Sequence, residues 1–176
     1  MGNAAVISAV VAFSLTACAS GQGSGASSAK TSCKKTNEQE IAALFDRWND
    51  SLRTGDPRKV AANYAQRSVL LPTLSNKPRL NPADKEEYFH NFLMGKPVGK
   101  IDSRTIMFDC NSAIDTGLYT FTLGADGSSV RARYTYTYGW DGKQWLITSH
   151  HSSLMPETAV IPASERPFSR RASPSR

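Results

Sequence analysis

The chain has 176 residues, 40% of them apolar, and a formal net charge of +6. That length fits one domain, and the apolar share suffices for one modest core once the ends are set aside. Part of the positive charge lies in the tail, where Arg166, Arg170, Arg171 and Arg176 outweigh Glu157 and Glu165, and the rest is scattered among acids. A nucleic-acid-binding face needs clustered basic residues with interleaved aromatics, and none is legible, so no nucleic acid partner is expected.

Ala4 to Ala17 is an apolar stretch too short for a permanent bilayer-spanning helix. It runs into Leu15-Thr16-Ala17-Cys18, which resembles the bacterial lipobox, where the cysteine is acylated and becomes the first mature residue. The resemblance implies a signal peptide over 1–17, lipidation of Cys18 and an exported, membrane-anchored lipoprotein that meets the membrane only through its lipid. The chain departs from that pattern in having no Lys or Arg before the apolar stretch. Myristoylation at Gly2 is disfavoured, because Val6 stands where Ser or Thr is needed. Residues 18–35, rich in Gly, Ser and Ala, read as a flexible tether. An oxidising compartment would let Cys33 and Cys110 pair.

Thr36 with Gln39 forms a capping-box pattern. Ile41, Leu44, Phe45, Trp48 and Leu52 follow at helical spacing and make one apolar stripe. Gly55 stops this helix, and Asp56-Pro57 opens a short second one, with Val60, Ala61 and Tyr64 as its buried candidates. Ser68 to Thr73 reads as a strand ended by Pro72. Asn81-Pro82 then opens a third helix with Tyr88, Phe89, Phe92 and Leu93 on its apolar side and Gly95 as its stop.

From Lys100 the period changes to two. Strands are expected over 100–109 and 112–123, then over two more joined at Asp141-Gly142, with Asp126-Gly127 as the preceding turn. Alternation puts Tyr134, Tyr136 and Tyr138 on one face and Arg131, Arg133, Thr135 and Thr137 on the other. On the last strand Trp145, Ile147, Ser149 and His151 are expected to share a face opposite His150. The tyrosine ladder is core or a subunit seam, and a sheet-to-sheet dimer is the preferred cover. Helices first and an antiparallel sheet afterwards define an α+β domain over 36–157. The tail 158–176 is expected to be disordered.

The order of elements, the helix-Gly-Asp-Pro-helix junction and the closing WDGKQWLITSHHSS resemble the cone-shaped superfamily named for nuclear transport factor 2. Within it the chain is most similar to the association domain of calcium/calmodulin-dependent protein kinase II and its bacterial stand-alone relatives. The resemblance implies a curved sheet folded over helices, a homodimer or higher homo-oligomer, and a pocket whose basic residues accept a small carboxylate. Arg131, Arg133 and His151 are the positions it suggests for that role, with His150, Trp48 and Tyr64 as further pocket candidates. Arginine is the better carboxylate partner, because its planar fork bonds in two places.

The same superfamily holds isomerases, cyclases and dehydratases. The isomerase pattern needs a carboxylate base and a tyrosine donor where this chain has Leu71 and Trp48, which disfavours that mechanism. A histidine near neutral pKa leaves acid–base chemistry at His150 or His151 as the alternative to a pure binding domain. Adjacent histidines on a strand point apart and cannot chelate one ion. No metal and no cofactor are expected.

Overall fold

The computed structural model describes residues 32–156. The expected signal peptide, Cys18, most of the tether and the expected tail lie outside the described residues. Three helices come first in this unit: α1 (Glu38–Arg53), α2 (Pro57–Ala61) and, after strand β1 (Tyr64–Leu71), α3 (Pro82–Met94). Four strands follow, β2 (Pro97–Asp109), β3 (Ser112–Leu123), β4 (Ser129–Trp140) and β5 (Trp145–Leu154). The five strands form one curved sheet in the order β1-β5-β4-β3-β2. β2 to β5 is an antiparallel meander, and β1 joins β5 in parallel. The domain is thus α+β, with helices packed on one sheet face.

Local chemistry explains the boundaries. α1 is capped by Asn37, whose side chain accepts from the Glu40 N–H at 2.9 Å. The expected cap, Thr36, instead donates its hydroxyl to the Glu40 carboxylate at 2.9 Å, so the capping pair is one residue further along than Thr36 and Gln39. Asp56 and Asn81 cap α2 and α3, each followed by a proline in the first turn. The turns before β4 and β5 carry Gly127 and Gly142 at φ 75° and 99°, conformations that cost other residues a steric clash. β1 begins at Tyr64, so this tyrosine sits on a strand rather than on α2.

The core is aromatic. Tyr134, Tyr136 and Tyr138 are buried beneath α1, with Phe45 and Trp48 at 6.2 Å and 5.8 Å from the Tyr136 ring. The ladder is therefore covered within one chain, and the expected dimer seam is not needed to hide it. Asn49 of α1 receives the Gly99 N–H at 2.8 Å and donates to the Gly99 carbonyl at 2.9 Å, clamping the edge strand β2. A disulfide joins Cys33 to Cys110, which ties the segment before α1 to the β2–β3 turn. Asp115, fully buried, is held by Arg104 at 2.9 Å and by the Tyr134 hydroxyl at 2.8 Å.

One irregularity decides which histidine faces inward. Between β4 and β5, Tyr138 pairs with Ile147 but Thr137 pairs with Ser149, so Thr148 is an extra residue on β5. Such a bulge inverts the alternation beyond it. Trp145 and Ile147 are buried before the bulge; His150 and Ser152 are buried after it, and His151 is exposed. The expectation that His151 shares the face of Trp145 and Ile147 is corrected accordingly.

Candidate functional site

Between α3, the loop after β1 and the inner face of the sheet lies a cavity of about 410 Å³. Its walls are mostly apolar. Trp48 comes from α1, Phe89 and Phe92 from α3, and Phe121 from β3. Polar groups are few and convergent, the pattern of a ligand site rather than of a packing defect.

Arg79 brings the charge. Its backbone is fixed to the sheet edge by two hydrogen bonds with Leu70, at 2.9 and 3.0 Å. The guanidinium lies over the Tyr88 ring, 5.6 Å from its centroid. One nitrogen, Nη2, donates to Ser75 Oγ at 3.4 Å. The other two, Nε and Nη1, are buried without a partner, and no described acid forms an ion pair with Arg79. A cationic guanidinium with two idle buried nitrogens calls for an acceptor, and an anion is the strongest one.

Three hydroxyls continue the polar surface. The Tyr119 hydroxyl donates to Ser152 Oγ at 2.6 Å, and Ser152 Oγ is in turn hydrogen-bonded to Thr73 Oγ1. All three residues line the cavity. Burial raises the Tyr119 pKa, so its phenol stays protonated and donates.

His150 closes the group. Its Nδ1 lies 2.8 Å from the Tyr64 hydroxyl, and its Nε2 is buried without a partner. Tyr136 stacks on the imidazole at 4.0 Å, and Trp48 meets it edge-on at 5.6 Å. Burial, and then the neighbouring His151, push the His150 pKa down to about 3, so the ring is neutral at physiological pH. A phenol is a better acid than a neutral imidazole N–H, and an imidazole nitrogen is a better acceptor than a phenol oxygen. Tyr64 therefore donates into Nδ1, and the imidazole proton is assigned to the buried Nε2 of this cavity-lining ring.

Of the positions suggested by the sequence, Trp48 and His150 line the cavity and Tyr64 stands directly behind His150. Arg131, Arg133 and His151 lie exposed on the opposite face of the sheet, away from this cavity. For the arginines the alternation with buried Ala132 and Tyr134 is unbroken. For His151 the bulge at Thr148 sets the direction. Four site residues escape a sequence reading. Arg79 lies in an irregular loop that carries no periodicity. Thr73, Tyr119 and Ser152 are ordinary strand and loop residues, although Ser152 follows once His150 is known to face inward. Among the described residues no group of three metal-ligating side chains comes together.

The class of protein is defined by this architecture. An NTF2-like protein of unknown function from Pseudomonas putida KT2440 superimposes with a TM-score of 0.60 at 21% identity, over 69% of this chain and 89% of its own. A cyanobacterial iota-carbonic anhydrase complexed with bicarbonate superimposes with a TM-score of 0.61 at 19% identity, over 68% of this chain and 93% of its own. These likenesses establish a cystatin-like, NTF2-like cone. The profile of the calcium/calmodulin dependent protein kinase II association domain matches residues 37–156. A crystal structure from Xanthomonas campestris that carries the same description is 50% identical, with a TM-score of 0.67 over 70% of this chain and 91% of its own. The chain belongs to the calcium/calmodulin-dependent protein kinase II association domain family. No curated protein matches it.

Proposed function

We propose that the cavity binds a small planar oxyanion, a carboxylate or bicarbonate. The observation that carries this reading is Arg79, a cavity-lining residue with two buried, unpartnered guanidinium nitrogens. Ser152 and Thr73 supply hydroxyl partners for the same head group, and His150 Nε2–H is a further donor. The ligand-binding role first suggested for Arg131, Arg133 and His151 passes to Arg79, Thr73, Ser152 and His150, because the former stand on the outer face. A thermal-shift titration with acetate, benzoate and bicarbonate tests this, since a ligand of the native state must raise the midpoint. Arg79→Leu is expected to abolish the shift. No shift with any of the three acids removes the reading.

A second reading is favoured by the hydroxyl chain itself. Tyr119, Ser152 and Thr73 form a hydrogen-bonded hydroxyl chain at the cavity, along which a proton could pass, and apolar walls suit uncharged carbon dioxide. The fold neighbour described as a carbonic anhydrase with bound bicarbonate makes carbon dioxide hydration the reaction to assay. In that reaction a water oxygen bonds to the carbon, one proton leaves along the hydroxyl chain, and bicarbonate remains on Arg79. Stopped-flow hydration with a pH indicator decides it: Ser152→Ala is expected to lower turnover at least tenfold, and an inactive wild-type protein excludes the reaction.

Assembly and export complete the proposal. The association-domain family and the uncovered outer face of the sheet, with Ile114, Leu118 and Leu146 half-buried among threonines, support a homo-oligomer formed through that face. The Cys33–Cys110 disulfide suits an exported protein, and lipidation at Cys18 would hold it at a membrane. Cys18→Ser is expected to release the protein from the membrane fraction.

A further inference from the structure

Lys85 of α3 is a cation where a cation is costly. It is 1% exposed, and no described carboxylate lies within ion-pair distance of its ammonium. Asp84, the acid next to it in sequence, is paired with Lys77 instead. Its nitrogen donates to the Ser68 carbonyl at 2.9 Å and to the Asn81 carbonyl at 3.4 Å. Those bonds clamp β1 to α3, but a neutral donor would make them equally well. What a lysine adds is charge, and burial of a charge without a counterion needs a reason.

The reason lies on the other side of the ammonium. Nζ stands 5.7 Å from the centroid of the Tyr64 ring, within reach of a cation–π contact. The Tyr64 hydroxyl is bonded to His150 Nδ1 at 2.8 Å, and the His150 ring, whose Nε2 is buried without a partner, lines the cavity. Charge, aromatic face, phenol, imidazole and cavity thus follow one another in contact.

We propose that Lys85 is a positioning residue for the anion site: its ammonium draws electron density from Tyr64, strengthens the Tyr64 O–H donation into His150 Nδ1, and so holds the His150 proton on Nε2 towards the bound oxyanion. The anion half of this statement rests on the oxyanion reading of the cavity; the Tyr64–His150 half does not. Lys85 touches no ligand, and its influence runs through Tyr64 and through its own positive field.

The test separates the two halves. Long-range nitrogen NMR of the full chain at pH 7 reports the two His150 ring nitrogens without any ligand. In the wild type Nδ1 is expected at a hydrogen-bonded acceptor frequency and Nε2 as the protonated nitrogen. Lys85→Met is expected to move Nδ1 towards the frequency of a free, pyridine-type nitrogen and to weaken benzoate binding severalfold. Lys85→Arg is expected to keep both values near wild type. A folded Lys85→Met protein with unchanged Nδ1 frequency overturns the proposal and leaves Lys85 a structural clamp. If that variant does not fold, the wild-type Lys85 nitrogen decides: an uncharged amine at pH 7 overturns the proposal. A wild type that binds none of acetate, benzoate and bicarbonate, with the Nδ1 shift still seen in Lys85→Met, refutes the oxyanion reading alone.

Discussion

Acid should destabilise this protein through His150. The ring is buried and neutral, with its pKa pushed down to about 3 by burial and by His151. In the unfolded chain the same imidazole titrates near about 6.5. Below that pH the unfolded state takes up a proton that the folded state refuses, so stability falls as pH falls until the folded value is reached. At about 1.4 kcal/mol per unit of separation, lowering the pH from 7 to 5 removes about 2 kcal/mol through this one group. Asparagine at position 150 keeps a polar atom near the Tyr64 hydroxyl and does not titrate. Urea midpoints of wild type and His150→Asn at pH 7 and pH 5 give the comparison. The variant is expected to be less stable at pH 7 but to lose about 2 kcal/mol less on acidification. Groups common to both proteins cancel in this difference. Equal losses in the two proteins would refute a neutral, buried His150.

Three further outcomes follow from the packing. Asn49→Ala strips both hydrogen bonds from Gly99 of the edge strand and is expected to cost about 2 kcal/mol in urea unfolding. Paired replacement of Cys33 and Cys110 by serine opens a closure spanning 77 residues and is expected to cost about 2–4 kcal/mol, read as a lower thermal midpoint in non-reducing buffer. Asp115→Asn leaves the Arg104 guanidinium without its counterion beside a buried amide and is expected to cost about 3 kcal/mol by denaturant titration.

Much of the fold could be read from the residues because it is written in local chemistry. Asp56-Pro57 and Asn81-Pro82 mark helix starts through a cap side chain and a preset φ, and Asp126-Gly127 and Asp141-Gly142 mark turns through permitted backbone angles. The α1 stripe through Ile41, Phe45, Trp48 and Leu52 also points to the core as its spacing implies. The site was less legible. Its inward histidine depends on one extra residue at Thr148, and nothing in a run of Leu, Ile, Thr and Ser announces a bulge. Its charge comes from Arg79, whose place is set by pairing with Leu70 across a loop, a contact that sequence spacing does not encode. Arg131 and Arg133 looked suitable by residue type, but alternation with Ala132 and Tyr134 sends them outward.

The most direct measurement of the central claim watches Arg79 itself. Nitrogen–proton NMR of the Arg79 Nε–H group during titration with benzoate and bicarbonate reads whether the idle donor takes a partner. The account predicts a saturable downfield shift of that proton with at least one of the two anions, lost in Ser152→Ala only in degree. An Nε–H resonance that stays put while both anions are raised to saturating levels would contradict it.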